Sequence, residues 1–402
     1  MTRLKQAICA CMLASTFLPA VPTQAATYYV STSGSDSNSG TSSKPWRTVA
    51  YAVSKMVAGD TTYVKGGVYK EKFILFRKSG TQSAPIKLLN APGEFPIIHC
   101  IDPAAGHRVN IQNATGSRYA IGWITIEGFE IRNCNYGIKF YNLHNGTMRR
   151  NWINSNPGGS GIFGWGTKVL IDRNLITNNG SSGHGHGIYS NGSYFTITNN
   201  LIYNNQRFGI QLNGSSSSKY DPTRHAGPEY ADSKNWIISN NTIAYQKTDT
   251  GLVVWGSTCN NALIDNNIFY ENAVTKSTSS PQGINFFSTT CTGIKVRNNL
   301  AYATGSGGTK FTAGTAPGVT ISGNIVNALP PKFANAPATL PSSPNFSLTS
   351  GSPAIDKGLS LSAIKTSYPG ISRPKLSTYD IGAYEYSGST VLTAPTSFRV
   401  VN

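Results

Sequence analysis

The sequence predicts an all-β solenoid, a parallel β-helix, and three observations predict it. A period of about 22–26 residues recurs through the middle of the chain. Each period holds short β-branched runs between polar turns, and Asn, Gly, Thr and Ile dominate its composition. Gly187 to Phe208, GIYSNGSYFTITNNLIYNNQRF, is one complete unit. Gly-Ile openings, once Gly-Leu, fall at Gly137, Gly161, Gly187, Gly209, Gly251 and Gly283. A fixed Asn follows at Asn151, Asn174, Asn200, Asn241, Asn267, Asn299 and Asn324. Three residues before each stands Met148, Ile171, Ile197, Ile238, Ile264, Val296 or Ile321. Such a unit is too short for a helix pair. The longer steps, Gly209 to Gly251 and Gly251 to Gly283, read as loops inserted into one coil.

Strand side chains alternate with period 2, so a turn must separate the two apolar positions flanking the fixed Asn. Asn is expected to make that turn because it tolerates left-handed geometry. Stacking the coils then places each Asn about 4.8 Å from the next, where the amides form a ladder. These Asn residues are therefore read as structural.

Met1 to Ala25 carries Arg3 and Lys5, then a largely apolar run and a Thr23-Gln24-Ala25 ending, which is expected to be a cleaved secretory signal. No later run approaches the ~20 apolar residues of a membrane span. Residues 26–60 are expected to cap the solenoid: a strand over 27–30, a Gly/Ser/Asn-rich loop, and a helix over 46–58 with Val49, Val53 and Val57 on one side. Such a helix covers an otherwise exposed sheet edge. The β-helix domain is assigned to 61–386 with an inserted loop at 214–235, and 387–402 is a C-terminal tail.

Without the signal the chain has 32 basic and 17 acidic residues, net +15. That balance on an exported protein points to a polyanionic partner, and nothing resembles a nucleic-acid module. Cys100 and Cys134, and Cys259 and Cys291, stand at matched places in neighbouring coils, so two disulfides are expected in an oxidising compartment.

If the Ile of each opening points inward, the residues one and three places later point out. That outward face carries Lys139 and Tyr141, Phe163 and Trp165, Tyr189 and Asn191, Gln211 and Asn213, Val253 and Trp255, then Asn285 and Phe287. Aromatic rings stack on sugars, and amides and Lys bind hydroxyls and carboxylates, so the face reads as a saccharide groove. Plain β-propensity would also enrich aromatic residues there. Gly183-His184-Gly185-His186-Gly187 precedes Tyr189. It lacks the carboxylates or Cys of a metal site, whereas an imidazole titrating near neutrality suits a general base. The bland alternative is a Gly-rich turn with solvated His. Arg207 and Asp249 should be neighbours on adjacent coils, as a surface ion pair or near the groove. The insertion supplies Asp221, Arg224, His225, Glu229 and Tyr230 as candidates over the groove.

YYVSTSGSDSNSGTSSKPW with AGDTTYVKGGVY resembles the N-terminal cap of secreted right-handed parallel β-helix proteins of the pectate-lyase-like superfamily. SPAIDKG (Ser352 to Gly358) and DIGAYEY (Asp380 to Tyr386) resemble a closing segment of exported bacterial β-helix proteins. The resemblance implies a single-stranded right-handed β-helix over about 28–386. Its calcium-dependent lyases carry an Asp cluster with a Lys or Arg base. Here the comparable turn has no carboxylate, which leaves calcium open and the cofactor unknown.

The expected function is a polysaccharide lyase that abstracts the proton beside a uronate carboxylate. His186 or Tyr189 would act as base and acid, and Lys139 and Arg207 would neutralise charge. Tyr141, Phe163, Trp165, His184, Asn191, Gln211, Asn213 and Trp255 would hold substrate. A C5-epimerase, a non-catalytic carbohydrate-binding β-helix and a glycoside hydrolase are the alternatives. The last needs two placed carboxylates that the outward face does not show. The expected partner is an acidic polysaccharide, with no nucleic acid, no membrane span and a monomeric state.

Overall fold

The computed structural model describes residues 25–388 apart from 115–119, 182, 215–232, 257–258, 276–282, 288–289, 305–310 and 315–317. The expected signal segment up to residue 24, the tail beyond 388, and Asp221, Arg224, His225, Glu229 and Tyr230 lie outside the described residues.

The chain winds through three long parallel sheets of 11, 10 and 10 strands. One coil shows the pattern. Ile188–Ser193 lies in the third sheet, Thr196–Thr198 in the first and Leu201–Tyr203 in the second. Ile210–Gly214 then returns to the third sheet beside Ile188–Ser193. The Gly-Ile openings start the third-sheet strands, and Ile138, Ile162, Ile188, Ile210, Leu252 and Ile284 pair in one row, all fully buried. Each such side chain contributes about 1.5–3 kcal/mol by burial.

The amide ladder forms at all seven expected positions. Asn151 Nδ2 donates to Asn174 Oδ1 at 3.1 Å, Asn174 to Asn200 at 3.0 Å, and the chain of bonds continues through Asn241, Asn267 and Asn299 to Asn324. The turn itself is made one residue earlier than expected. Left-handed φ values belong to Arg150, Arg173, Asn199, Asn240, Asn266 and Asn298, not to the ladder Asn. The ladder residue needs its side chain aimed inward and its N–H bonded to the next rung, so its predecessor takes the turn. A second ladder, Asn156 to Asn179 to Asn205 to Gln246, runs along the turn that follows the second sheet.

The capping helix is Val49–Lys55, shorter than the 46–58 expected. Thr48 accepts from the Tyr51 amide and Glu71 from the Val49 amide, which sets its start. Its apolar side, Val49, Ala52 and Val53, joins the core. At the far end, residues after Ser352 fold back over the left-handed turns. Asn240, Asn266 and Asn298 donate to the carbonyls of Asp380, Leu359 and Lys357. Ile381, Ala383 and Tyr384 pack there with Leu201, Ile268 and Leu300 as a second apolar core.

Cys100 and Cys134 are joined in a disulfide. The expected bridge between Cys259 and Cys291 is not formed. Both are buried thiols, with the Cys259 amide donating to Cys291 Sγ at 3.1 Å and Cys259 Sγ directed to its own Trp255 carbonyl at 3.3 Å. The coils stack as expected and bring the two side chains together as thiols, with burial and then Cys291 raising the Cys259 thiol.

Candidate active site

The third sheet presents its outward residues in two registered rows. Lys139, Phe163, Tyr189, Gln211, Val253 and Asn285 form one row, and Trp165, Asn191, Asn213 and Trp255 the other. Their intervening neighbours Phe140, Gly164, Ser190, Leu212 and Val254 face the core, as the alternation requires. The face is not open along its whole length. Asn191, Gln211, Val253 and Asn285 are buried, so of the predicted amides Asn213 retains the exposure a ligand needs.

Rings gather around one amine. Lys139 Nζ lies 4.7 Å from the Tyr136 ring centre and 5.2 Å from those of Tyr141 and Phe163. Tyr141 stacks on Trp165 at 5.1 Å, Phe163 meets Trp165 edge-on at 5.0 Å, and Tyr189 meets Phe163 edge-on at 5.2 Å. Burial, and after it the Arg108 guanidinium, bring the Lys139 ammonium down to about 8. Burial raises Tyr136, Tyr141 and Tyr189 above the usual phenol range and so keeps them protonated at neutrality.

Three members of this cluster escaped the sequence reading. Arg108 and Asn110 come from Arg108–Ile111, which pairs one strand step before Lys139 but lacks a Gly-Ile opening. The same alternation, taken one coil earlier from the buried Val109, would have placed both on the outward face. Asn110 is buried, and its Oδ1 has no hydrogen-bond partner. Tyr136 precedes its opening Gly137 and so falls outside a pattern counted forward from it.

The His pair behaves differently from expectation. His186 is 1% exposed, stacks on Phe208 at 5.1 Å and accepts from the Phe208 amide through Nδ1. Burial, with Arg207 and His184 adding to it, holds its pKa down to about 3. An imidazole so placed lacks the near-neutral titration on which its expected role as a base rested. Its neighbour His184 is exposed, 6.5 Å away ring to ring. The glycines around them have a packing cause: a Cβ on Gly185 would meet Gly180 Cα at 2.6 Å and Gln206 Cβ at 2.7 Å. Arg207 pairs with Asp249 at 3.4 Å, donates to the Gly183 carbonyl and lies over Phe208. It belongs to the turn beside the His pair, not to the Lys139 cluster.

Residues 28–184 match the family described as Pel9A-like, right-handed β-helix region. Over those residues the chain resembles the pectate-lyase-like right-handed β-helix proteins, and its fold as a whole is a parallel β-helix. Two curated relatives of this β-helix protein match over short stretches. The uncharacterized protein YwoF of Bacillus subtilis (strain 168) is 43% identical over 70 residues, 17% of this chain and 15% of its own length. Pectate lyase PEL9 of Emericella nidulans is 44% identical over 75 residues, 18% of each chain. The matches thus span less than a fifth of either relative. The crystal structure of pectate lyase Pel9A superposes with a TM-score of 0.51 at 17% identity, covering 89% of this chain and 96% of that one, which shows the shared fold.

Calcium requires a shell of oxygen ligands, several of them carboxylates. Among the described residues of this β-helix protein, no three His, Cys, Asp or Glu side chains form a group that could hold a metal ion. The turn compared with the lyases' acidic cluster offers one buried imidazole, one exposed imidazole and glycines. The described residues do not fit a calcium ion.

Proposed function

We propose that this protein is an exported polysaccharide lyase acting on a uronate-containing polymer by β-elimination, with Lys139 as the base. The observation that carries this reading is the Lys139 amine, brought down to about 8 inside a ring of aromatic side chains on the outward face. A lysine so placed holds an appreciable neutral fraction near neutrality and is a competent proton acceptor.

In this reading Lys139 Nζ takes the proton from the sugar carbon beside the carboxylate. The electron pair left behind forms the ring double bond as the neighbouring glycosidic C–O bond breaks. The departing oxygen takes a proton from a phenol, and Tyr136 and Tyr141 stand in the cluster with theirs retained. Arg108, which already depresses Lys139, meets the substrate carboxylate and stabilises the charge that builds on it. Tyr189, two strand steps from Lys139, and Trp165 hold flanking sugars. The Cys100–Cys134 disulfide supports an oxidising destination, and the described residues contain no helix long and apolar enough to cross a membrane.

The test follows ultraviolet absorbance of the unsaturated uronate product, with pectate, alginate and glycosaminoglycans as substrates. The wild type is expected to generate it on one of them. Lys139→Ala should lower kcat by ~10²–10⁴-fold, the range for loss of a general base. Polymer consumed without the ultraviolet product would instead mark a hydrolase, and solvent-hydrogen exchange without chain cleavage an epimerase.

A further inference from the structure

Outside the Lys139 cluster, the described residues of the outward face include another exposed aromatic pair. Trp255 is 41% exposed and Phe287 51%, with ring centres 4.7 Å apart. Isolated exposed aromatics are common, but two large rings in contact and open to solvent form a surface with a purpose. Their place in the register gives it. Trp255 continues the row Trp165, Asn191, Asn213, Trp255. Phe287 follows the strand Ile284–Phe286, and its amide bonds the Val254 carbonyl, which sets it beside Trp255 on the next coil. The row therefore has a stacked aromatic pair, Tyr141 with Trp165, at one end and a second pair at the other, with Asn213 between them only partly buried.

From Trp165 to Trp255 is three strand steps, ~14 Å, and from the strand of Lys139 it is four, ~19 Å. No single sugar ring spans either distance. We infer that Trp255 and Phe287 form a distal saccharide platform, which stacks sugar rings of the same polymer chain whose reacting residue lies at Lys139. The chain then runs across the strands, along the solenoid axis. Sugars suit this surface because their C–H faces pack on rings while their hydroxyls meet amides such as Asn213. The platform's assignment to a saccharide rests on the reading of the Lys139 face as a polysaccharide site.

The experiment compares wild type with Trp255→Ala/Phe287→Ala in native gels cast with pectate, alginate or chondroitin sulfate, and by calorimetry with disaccharides of the same polymers. Lyase activity is measured in parallel. Expected is about a tenfold loss of affinity for the intact polymer with disaccharide binding unchanged, at an unaltered melting temperature. Trp255→Phe/Phe287→Tyr, which keeps both rings, should retain wild-type affinity. Loss of polymer affinity in a protein that yields no unsaturated product would uphold the platform and remove the lyase reading. Wild-type affinity in the alanine variant would overturn the platform and leave the lyase reading intact. A variant that only melts earlier marks the rings as packing, and failure of the wild type to bind every polymer removes both proposals.

Discussion

Lys139 and His186 show how burial sorts two nitrogen bases on one surface. Both lose solvent, and both are pushed toward the neutral form. For the imidazole the displacement leads away from physiological pH, and for the ammonium it leads toward it. The expected pH–rate profile follows. With Lys139 in the proposed role, activity needs its neutral form, so the rate should rise with pH through about 8 and level off above it. Arg108 contributes to that depression, so Arg108→Gln should move the rising limb to higher pH as well as lower kcat, a shift that lost packing alone would not cause. Steady-state rates across pH 6 to 10 read both effects. His186→Ala should leave the limb where it is and destabilise the fold by about 3 kcal/mol through the vacated contact with Phe208. Denaturant titration checks the second part.

At the level of the repeated element, the amide ladder couples coils that share little sequence. Asn200 accepts from the Asn174 amide and side chain, and donates to Asn241 and to the Ile171 carbonyl. Asn200→Ala leaves these groups buried without partners, at a cost of ~1–3 kcal/mol for each one left unsatisfied. Asn200→Asp should be as harmful, because a carboxylate accepts from Asn174 but cannot donate to Asn241 Oδ1. Thermal unfolding of the two variants is the measurement. The ladder positions were legible in the sequence because a stacked structure repeats its chemistry at a fixed period. The left-handed turn was misplaced by one residue because paired Asn residues, such as Asn199-Asn200, are chemically alike. Where Arg150 and Arg173 precede the ladder, the residue type hides the turn altogether.

For the molecule as a whole, a covalent bridge fastens the early coils and a buried ionic network the closing segment. The Cys100–Cys134 bridge encloses 34 residues of separation near the N-terminal coils, and Cys100→Ser/Cys134→Ser should cost about 2–4 kcal/mol in denaturant unfolding. The closing segment is held by a buried network in which Arg373 pairs with Glu385 and donates to the Asp380 and Gly382 carbonyls. Burial, and then Glu385, raise the Asp380 carboxyl to about 7. Unfolded Asp titrates near ~3.9, so between about pH 4 and 7 the folded chain holds a proton that the unfolded chain has lost. This contribution to stability is complete below pH 4 and disappears as pH rises through about 7. Hydrogen exchange at residues 352–386 should therefore quicken from pH 5 to 8 beyond its intrinsic increase. Asp380→Asn should remove that excess.

The sequence by itself determined the coil, its period, the inward column of Ile and the helix that covers the first rung. Each depends on residue type recurring at a spacing, and stacking forces equivalent residues into register. Only the tertiary structure decided the surroundings of each candidate base. Which of Lys139 and His186 suits the proposed role of base depends on what surrounds each nitrogen, and for Lys139 that is assembled from three coils. Arg108, Asn110 and Lys139 meet because strands about thirty residues apart in sequence lie one step apart in space. The thiols of Cys259 and Cys291 stand close without a disulfide for a similar reason: period sets which coils are neighbours, while side-chain placement sets which atoms meet.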